Sequence, residues 1–246
     1  MRIKYKEPYW VKFSWEMDDH HDNQYVTNFD KNENSELKKF LLSSQYAITV
    51  SFKIKKIYKK DEISMVFGKP GKNLGLSYNE SSKTMAFEFW TDEEDGDKFY
   101  FLPLLDTSET EIEGGVTITI VRDNNKIILY KNFVENNSIE FNGNLIEDYN
   151  QNSLYIGCSS PECASDQHRY YGEIDLTLFS IILKNTNIET IKDYLKPSEV
   201  HVLPFKKCYD DVLCYYDFKT INNMGIIYDE SKNLNFLEKV PSDFVL

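Results

Sequence analysis

The sequence lacks any run of about 18 consecutive apolar residues, so no segment is expected to cross a bilayer as a helix. Met1-Arg2-Ile3-Lys4-Tyr5-Lys6 contains no apolar h-region, so no ordinary secretory signal is expected. That predicts synthesis in the cytoplasm, with a surface or virion location reached only by a non-classical route. Arginine is scarce: among 28 basic residues only Arg2, Arg122 and Arg169 are arginines. Clamps for phosphate or carboxylate usually recruit the arginine fork, so such a site is not expected. The sequence has no Gly-rich phosphate loop, no G-x-S-x-G elbow and no H-E-x-x-H motif. Its 4 cysteines, Cys158, Cys163, Cys208 and Cys214, are spaced C-x4-C and C-x5-C, which fits no zinc knuckle. Free thiols are expected, with Cys214 as a small core residue in Val212–Tyr216; two local disulfides are the alternative.

Acidic residues, by contrast, are abundant. Asp and Glu number 40 in 246 residues, and the net charge is −12. Such a chain repels phosphate backbones and anionic headgroups, so neither nucleic acid nor a membrane surface is an expected partner. Aromatic residues make up 15% of the chain, which suits pleated, half-buried strands.

Hydrophobic periodicity is mostly two. In Ile48–Lys55, Ile48, Val50, Phe52 and Ile54 face one way and Thr49, Ser51, Lys53 and Lys55 the other, as in a strand with one wet face. Val116–Ile120 repeats the pattern. Asp123-Asn124-Asn125 then makes a turn and Lys126–Phe133 returns, a predicted hairpin. Further strands are expected at Ile63–Gly68, Asn73–Tyr78, Thr84–Thr91, Lys98–Leu105, Ser153–Gly157, Tyr170–Leu183 and Val212–Phe218. Helices are expected at Ser35–Leu42 and at Asn187–Leu195, the second stopped by Pro197. With no repeat or flexible linker, residues 1–246 are read as one domain.

Four stretches, in order, resemble the laminin-G-like, concanavalin A-like superfamily: Tyr46–Lys55, Gly115–Phe133, Leu154–Gly157 (LYIG) and Tyr171–Asn185 followed by Asn187–Tyr194. The match covers residues 45–195. The resemblance implies an all-β, antiparallel two-sheet jelly-roll sandwich with one or two short helices. About 40 residues precede the match and about 50 follow it. Cys214–Asn235 looks like the element that normally opens such a domain, which predicts that residues 208–246 return to complete the sandwich.

The candidate sites are modest. Glu173-Ile174-Asp175 resembles the start of the glucanase strand motif E-x-D-x-x-E, in which two carboxylates act as nucleophile and acid. The sixth position here is Leu178, so a catalytic role is not expected, and both residues stand only as candidate ligand contacts. Asp92-Glu93-Glu94-Asp95-Gly96-Asp97 is too acidic to be neutral about cations but fails the EF-hand register. A mobile acidic hairpin tip is the plainer reading; calcium on Asp92, Asp95 and Asp97 is the alternative. Asp18-Asp19-His20-His21-Asp22 likewise reads as a solvated loop or as a metal site through Asp18 and Asp22. Trp90 shares a strand face with Ala86 and Glu88, opposite Met85, Phe87 and Phe89, and could stack on a sugar ring. Trp10, out of phase with Phe13 and Trp15, is the other candidate aromatic. The function expected is a non-catalytic glycan-binding module. The alternatives are an assembly or protein-interaction domain, such as a viral or phage surface protein, and a jelly-roll glycoside hydrolase.

Overall fold

The computed structural model describes residues 11–13, 25–28, 40, 43–57, 63–68, 74–79, 81–106, 114–146, 155–156, 172–195, 210–218, 227–228 and 236–240. In chain order the strands are β1 (Val11–Phe13), β2 (Tyr25–Asn28), β3 (Gln45–Ile57), β4 (Ile63–Gly68), β5 (Leu74–Asn79), β6 (Thr84–Glu93), β7 (Gly96–Pro103) and β8 (Val116–Asp123). They continue as β9 (Lys126–Lys131), β10 (Val134–Glu140), β11 (Asn144–Leu145), β12 (Tyr155–Ile156), β13 (Gly172–Leu183), β14 (Val212–Asp217), β15 (Ile227–Tyr228) and β16 (Phe236–Val240). The helix among the described residues is α1 (Ile188–Leu195). The helix expected at Ser35–Leu42 lies, apart from Phe40, outside them.

These strands build two antiparallel sheets. The first runs β1-β13-β3-β8-β9-β10, with β14 also paired to β13. The second runs β11-β6-β5-β4-β12-β2-β16-β15, with β7 paired to β6. Period-two patterning decides which side of each strand is buried. Ile48, Val50 and Phe52 on β3, Ile118 and Ile120 on β8, and Ile174, Leu176, Phe179 and Ile181 on β13 turn inward. They meet Leu74, Leu76, Met85, Phe87 and Phe89 of the second sheet. The rings of Phe67 and Phe179 touch across the gap, 5.4 Å apart and near-perpendicular. This edge-to-face arrangement suits the aromatic quadrupole.

Both ends of the chain enter the sheets. β14 lies along the same edge of β13 as β1 and adds Leu213, Cys214, Tyr216 and Phe218 to the core. β16 pairs with β2 in the second sheet. Cys214 is buried and forms no disulfide; the other cysteines lie outside the described residues.

The far face of the first sheet is covered by α1. Asn187 caps this helix, its Oδ1 accepting from the backbone N–H of Glu189 and Thr190 at 3.0 and 3.1 Å. Ile191 and Leu195 then pack on Ala47, Val121, Ile182, Val212 and Tyr215. Beside that cluster, Thr49 and Thr119 share a hydrogen bond of 3.1 Å, and Ser51 and Thr117 one of 2.8 Å.

The core ends on a buried cation. Arg122, opposite Tyr46 in the ladder, donates to the carbonyls of Asn124 and Ser43 at 3.0 and 3.2 Å and lies over the Phe141 ring. Burial pushes the Tyr46 hydroxyl well above the ordinary tyrosine range, so it stays protonated.

Three elements bear on the site. Gly143, at φ +73°, lets the chain cross from β10 to β11 hard against β6. Asn136 donates to and accepts from the backbone of Leu105, and Asn137 donates to the Pro103 carbonyl, so these amides join the first sheet to the second. In β13 the register shifts between Leu176 and Leu178, a bulge at Thr177. The bulge reverses the alternation and turns Leu178 against the helix cluster.

Candidate functional site

Among the described residues, the outer face of the second sheet carries the most exposed aromatic surface on a strand ladder. β6 and β7 form a hairpin whose turn is Glu94-Asp95, closed by Gly96 at φ +113°. That turn fixes the pairs Trp90↔Phe99 and Glu88↔Phe101. Because Phe89 and Tyr100 stack inside, 5.0 Å apart, their neighbours Trp90 and Phe99 face outward. The Trp90 and Phe99 rings lie 5.2 Å apart, tilted by 50°. Phe99 is 45% and Phe101 47% exposed, while Trp90 is half-buried beside them. Glu88 also borders this face; its Oε1 accepts a hydrogen bond from Ser77 Oγ on β5. Gly75, opposite Glu88, leaves room there for the Met65 side chain to lie across it. The result is an apolar platform with a fixed carboxylate at its margin.

The acidic segment does sit at a hairpin tip, but the tip is shorter than the sequence suggests. Only Glu94 and Asp95 form the turn; Asp92, Glu93 and Asp97 belong to the strands. Strand alternation therefore separates the carboxylates. Asp92 and Asp97 lie opposite each other on the outer face, and Asp92 Oδ1 accepts from the Asn144 N–H at 2.6 Å. Glu93 turns to the other side, where Tyr100 Oη and Thr91 Oγ1 donate to it and Lys98 lies 3.6 Å away. Among the described residues, no group of three or more His, Cys, Asp and Glu side chains could hold a metal ion, the Asp92–Asp95–Asp97 set included.

The Tyr100 hydroxyl, with help from Lys98 and Thr91, holds the Glu93 carboxyl below its ordinary value of 4.5. The folded state thus binds this proton less readily than the unfolded state. The stabilisation is complete above pH 4.5 and is lost as pH falls through the lower folded value. The protection factors of the Lys98–Tyr100 amides, from which the intrinsic pH dependence of exchange is divided out, are therefore expected to fall on acidification, and this fall should vanish in Glu93→Gln. An unchanged pH profile in that variant would refute the assignment.

The remaining candidates are dispersed. Trp10, Asp18 and Asp22 lie outside the described residues. Glu173 and Asp175 are placed on β13 in register with Lys56 and Lys53, and Asp175 also with Lys12 of β1. The position that would hold a third carboxylate is Leu178, seated against the helix cluster. Phe99, Phe101 and Ser77 were not singled out by the sequence. Their signal is the phase they share with Trp90 and Glu88 once the Asp95-Gly96 turn is placed. A separate open cavity of about 520 Å³, lined by Asp123, Asn125, Lys126, Glu140, Phe141 and Asn142, lies at the end of the sandwich.

No family model matches the sequence, and no curated protein matches it. Solved structures do match in fold. One is a Bacteroides ovatus protein provisionally described as carbohydrate-binding, with a TM-score of 0.57 and 11% identity over 89% of this chain and 58% of its own. Others are the binding domain of botulinum neurotoxin serotype D (TM-score 0.46, 14% identity, 68% and 39% covered) and domains LG4-5 of the mouse laminin α1 chain (0.42, 9%, 57% and 35%). This chain spans 58% of the first of these proteins. The fold is an all-β, antiparallel jelly-roll sandwich with a short helix.

Proposed function

We propose that the protein is a non-catalytic carbohydrate-binding module of the laminin-G-like, concanavalin A-like kind, with its binding face on the outer side of β6 and β7. The observation that carries this reading is the Trp90–Phe99 pair, flanked by exposed Phe101 and by Glu88 fixed on Ser77. The C–H face of a pyranose is apolar and covers an aromatic ring with little desolvation cost. Its hydroxyls need acceptors at the ring's edge, where the half-buried Glu88 carboxylate lies.

A glycan array tests the reading. Trp90→Ala and Phe99→Ala are each expected to weaken a bound saccharide by about 10-fold or more, since each removes an aromatic contact worth on the order of 1 kcal/mol beyond its buried area. Intact affinity in both variants would overturn the assignment of this face. Running the array with calcium and with a chelator tests the hairpin carboxylates. Calcium-dependent binding that Asp92→Asn or Asp97→Asn abolishes would place a cation there. Reducing-sugar release lost in Glu173→Gln would overturn the non-catalytic reading.

The exposure of Phe99 and Phe101 on a terminal strand supports a second reading, a protein partner. The absence of any saccharide ligand, together with a defined oligomer in light scattering, would favour it.

A further inference from the structure

We infer that the open cavity at the end of the sandwich is a second binding site, and that its ligand is a neutral polyhydroxyl compound such as an uncharged disaccharide. This site shares no residue with the outer face of β6 and β7 and does not depend on it.

The cavity, of about 520 Å³, falls within the size range of small-ligand sites, about 300–1,000 Å³. It lies where the β8–β9 turn meets the end of β10. In the ladder Asp123 stands opposite Lys126, and Lys126 opposite Glu140, so the lining carries a row of carboxylate, ammonium and carboxylate. Cβ atoms of such neighbours are about 4.5–5.5 Å apart. Among the described residues, no ion pair joins Lys126 to either carboxylate, and no hydrogen bond engages the side chains of Lys126, Glu140, Asn125 or Asn142. Asp123 accepts from Gln45 and Asn124 through Oδ1, each at 3.0 Å, which leaves Oδ2 as an acceptor. The frame around these groups is fixed. The Asn125 carbonyl accepts the Phe141 N–H at 2.9 Å, and the Phe141 ring is anchored against Phe89 and Arg122. A ligand therefore does not have to order the walls it binds.

The order of the charges selects the ligand. An anion drawn to Lys126 meets a carboxylate on either side. A cation drawn to Asp123 or Glu140 meets the ammonium between them. A hydroxyl both donates and accepts, so neighbouring hydroxyls of a sugar can give protons to the carboxylates and take one from Lys126. Bonds of this kind, to charged groups, are the stronger ones. The amides of Asn125 and Asn142 add further donors and acceptors. Phe141 is only 3% exposed, so hydrogen bonds rather than ring stacking carry the binding.

The test is an amide NMR titration of the full chain with cellobiose, lactose and maltose, and with the charged disaccharides of galacturonate and of glucosamine. A neutral disaccharide is expected to shift the amide signals of Asn125, Lys126, Glu140 and Asn142, and to bind about 10-fold more tightly than either charged one. Lys126→Met and Glu140→Ala, with unchanged melting profiles, should each weaken it by about 10-fold. If no neutral disaccharide shifts these signals, if a charged one binds as tightly, or if both variants bind as before, the inference falls. Shifts confined to the Trp90 indole and the Phe99 and Phe101 amides would overturn the cavity site and support the outer face. Shifts confined to the cavity would support the cavity site and count against the outer face.

Discussion

A chain ending at Lys207 is expected to lose cooperative unfolding altogether. The deleted segment carries β14, whose Leu213, Cys214 and Tyr216, with Phe218 just beyond, sit in the core between the sheets. Val212 and Tyr215 point the other way and form the seat of α1. Each such side chain contributes about 1.5–3 kcal/mol on burial. Losing six removes on the order of 10 kcal/mol, comparable to the net stability of a whole domain. The cut also bares the β13 edge from Leu178 to Ile182 and takes away β16, the neighbour of β2. Urea titration followed by near-ultraviolet circular dichroism decides the matter. A truncated chain that unfolds as sharply as the whole would show that the tail is an appendage. The domain organisation we propose is therefore a single sandwich assembled from both ends of the chain.

Gly143→Ala is the point substitution with the largest expected effect. At φ +73° an alanine is strained on backbone grounds alone. That strain costs about 1–2 kcal/mol. The new Cβ would also stand 1.7 Å from the Asp92 carbonyl oxygen and 2.7 Å from its carbon. Neither atom belongs to a side chain that can swing away, so β11 must lift from β6. The pairs Asn144↔Asp92 and Leu145↔Thr91 and the Asn144 N–H bond to Asp92 Oδ1 go with it. A destabilisation of about 2–4 kcal/mol is expected in chemical denaturation. Gly114→Ala is the control, since a Cβ there meets nothing within 4 Å. Equal melting of the two variants would refute the argument.

Strands β3 and β8 of the first sheet were legible because the sequence of each alternates apolar and polar residues. β3 and β8 alternate cleanly, the Asp123–Asn125 turn holds Asn124 at φ +55°, and the helix begins where Asn187 can cap it. β10 was not legible. Val134–Glu140 (VENNSIE) is an edge strand with little to bury, and Asn136 and Asn137 spend their amides on the neighbouring sheet's backbone. The bulge at Thr177 was hidden for a different reason: an extra residue changes the phase of a strand without changing its composition. The platform was half legible. Trp90 and Glu88 were in phase on β6, but β7 carries aromatic residues on both faces (Phe99 and Phe101 outside, Tyr100 inside), and period two alone cannot say which face is dry. The acidic run was read as a loop because charge suggests solvent. The ladder continues through it because Glu93 finds Tyr100 on the inner side.

The amide of Asn136 imitates a peptide group. It takes the N–H of Leu105 at 2.7 Å and gives its own N–H to the same residue's carbonyl at 2.9 Å, as a neighbouring strand would. A stray strand from another molecule that approached Leu105 would find both backbone groups already engaged. Where β7 leaves its sheet, two asparagines thus serve as a guard against edge-to-edge association. This leaves the exposed rings of Phe99 and Phe101 on a surface that can stay open to a ligand at high protein concentration.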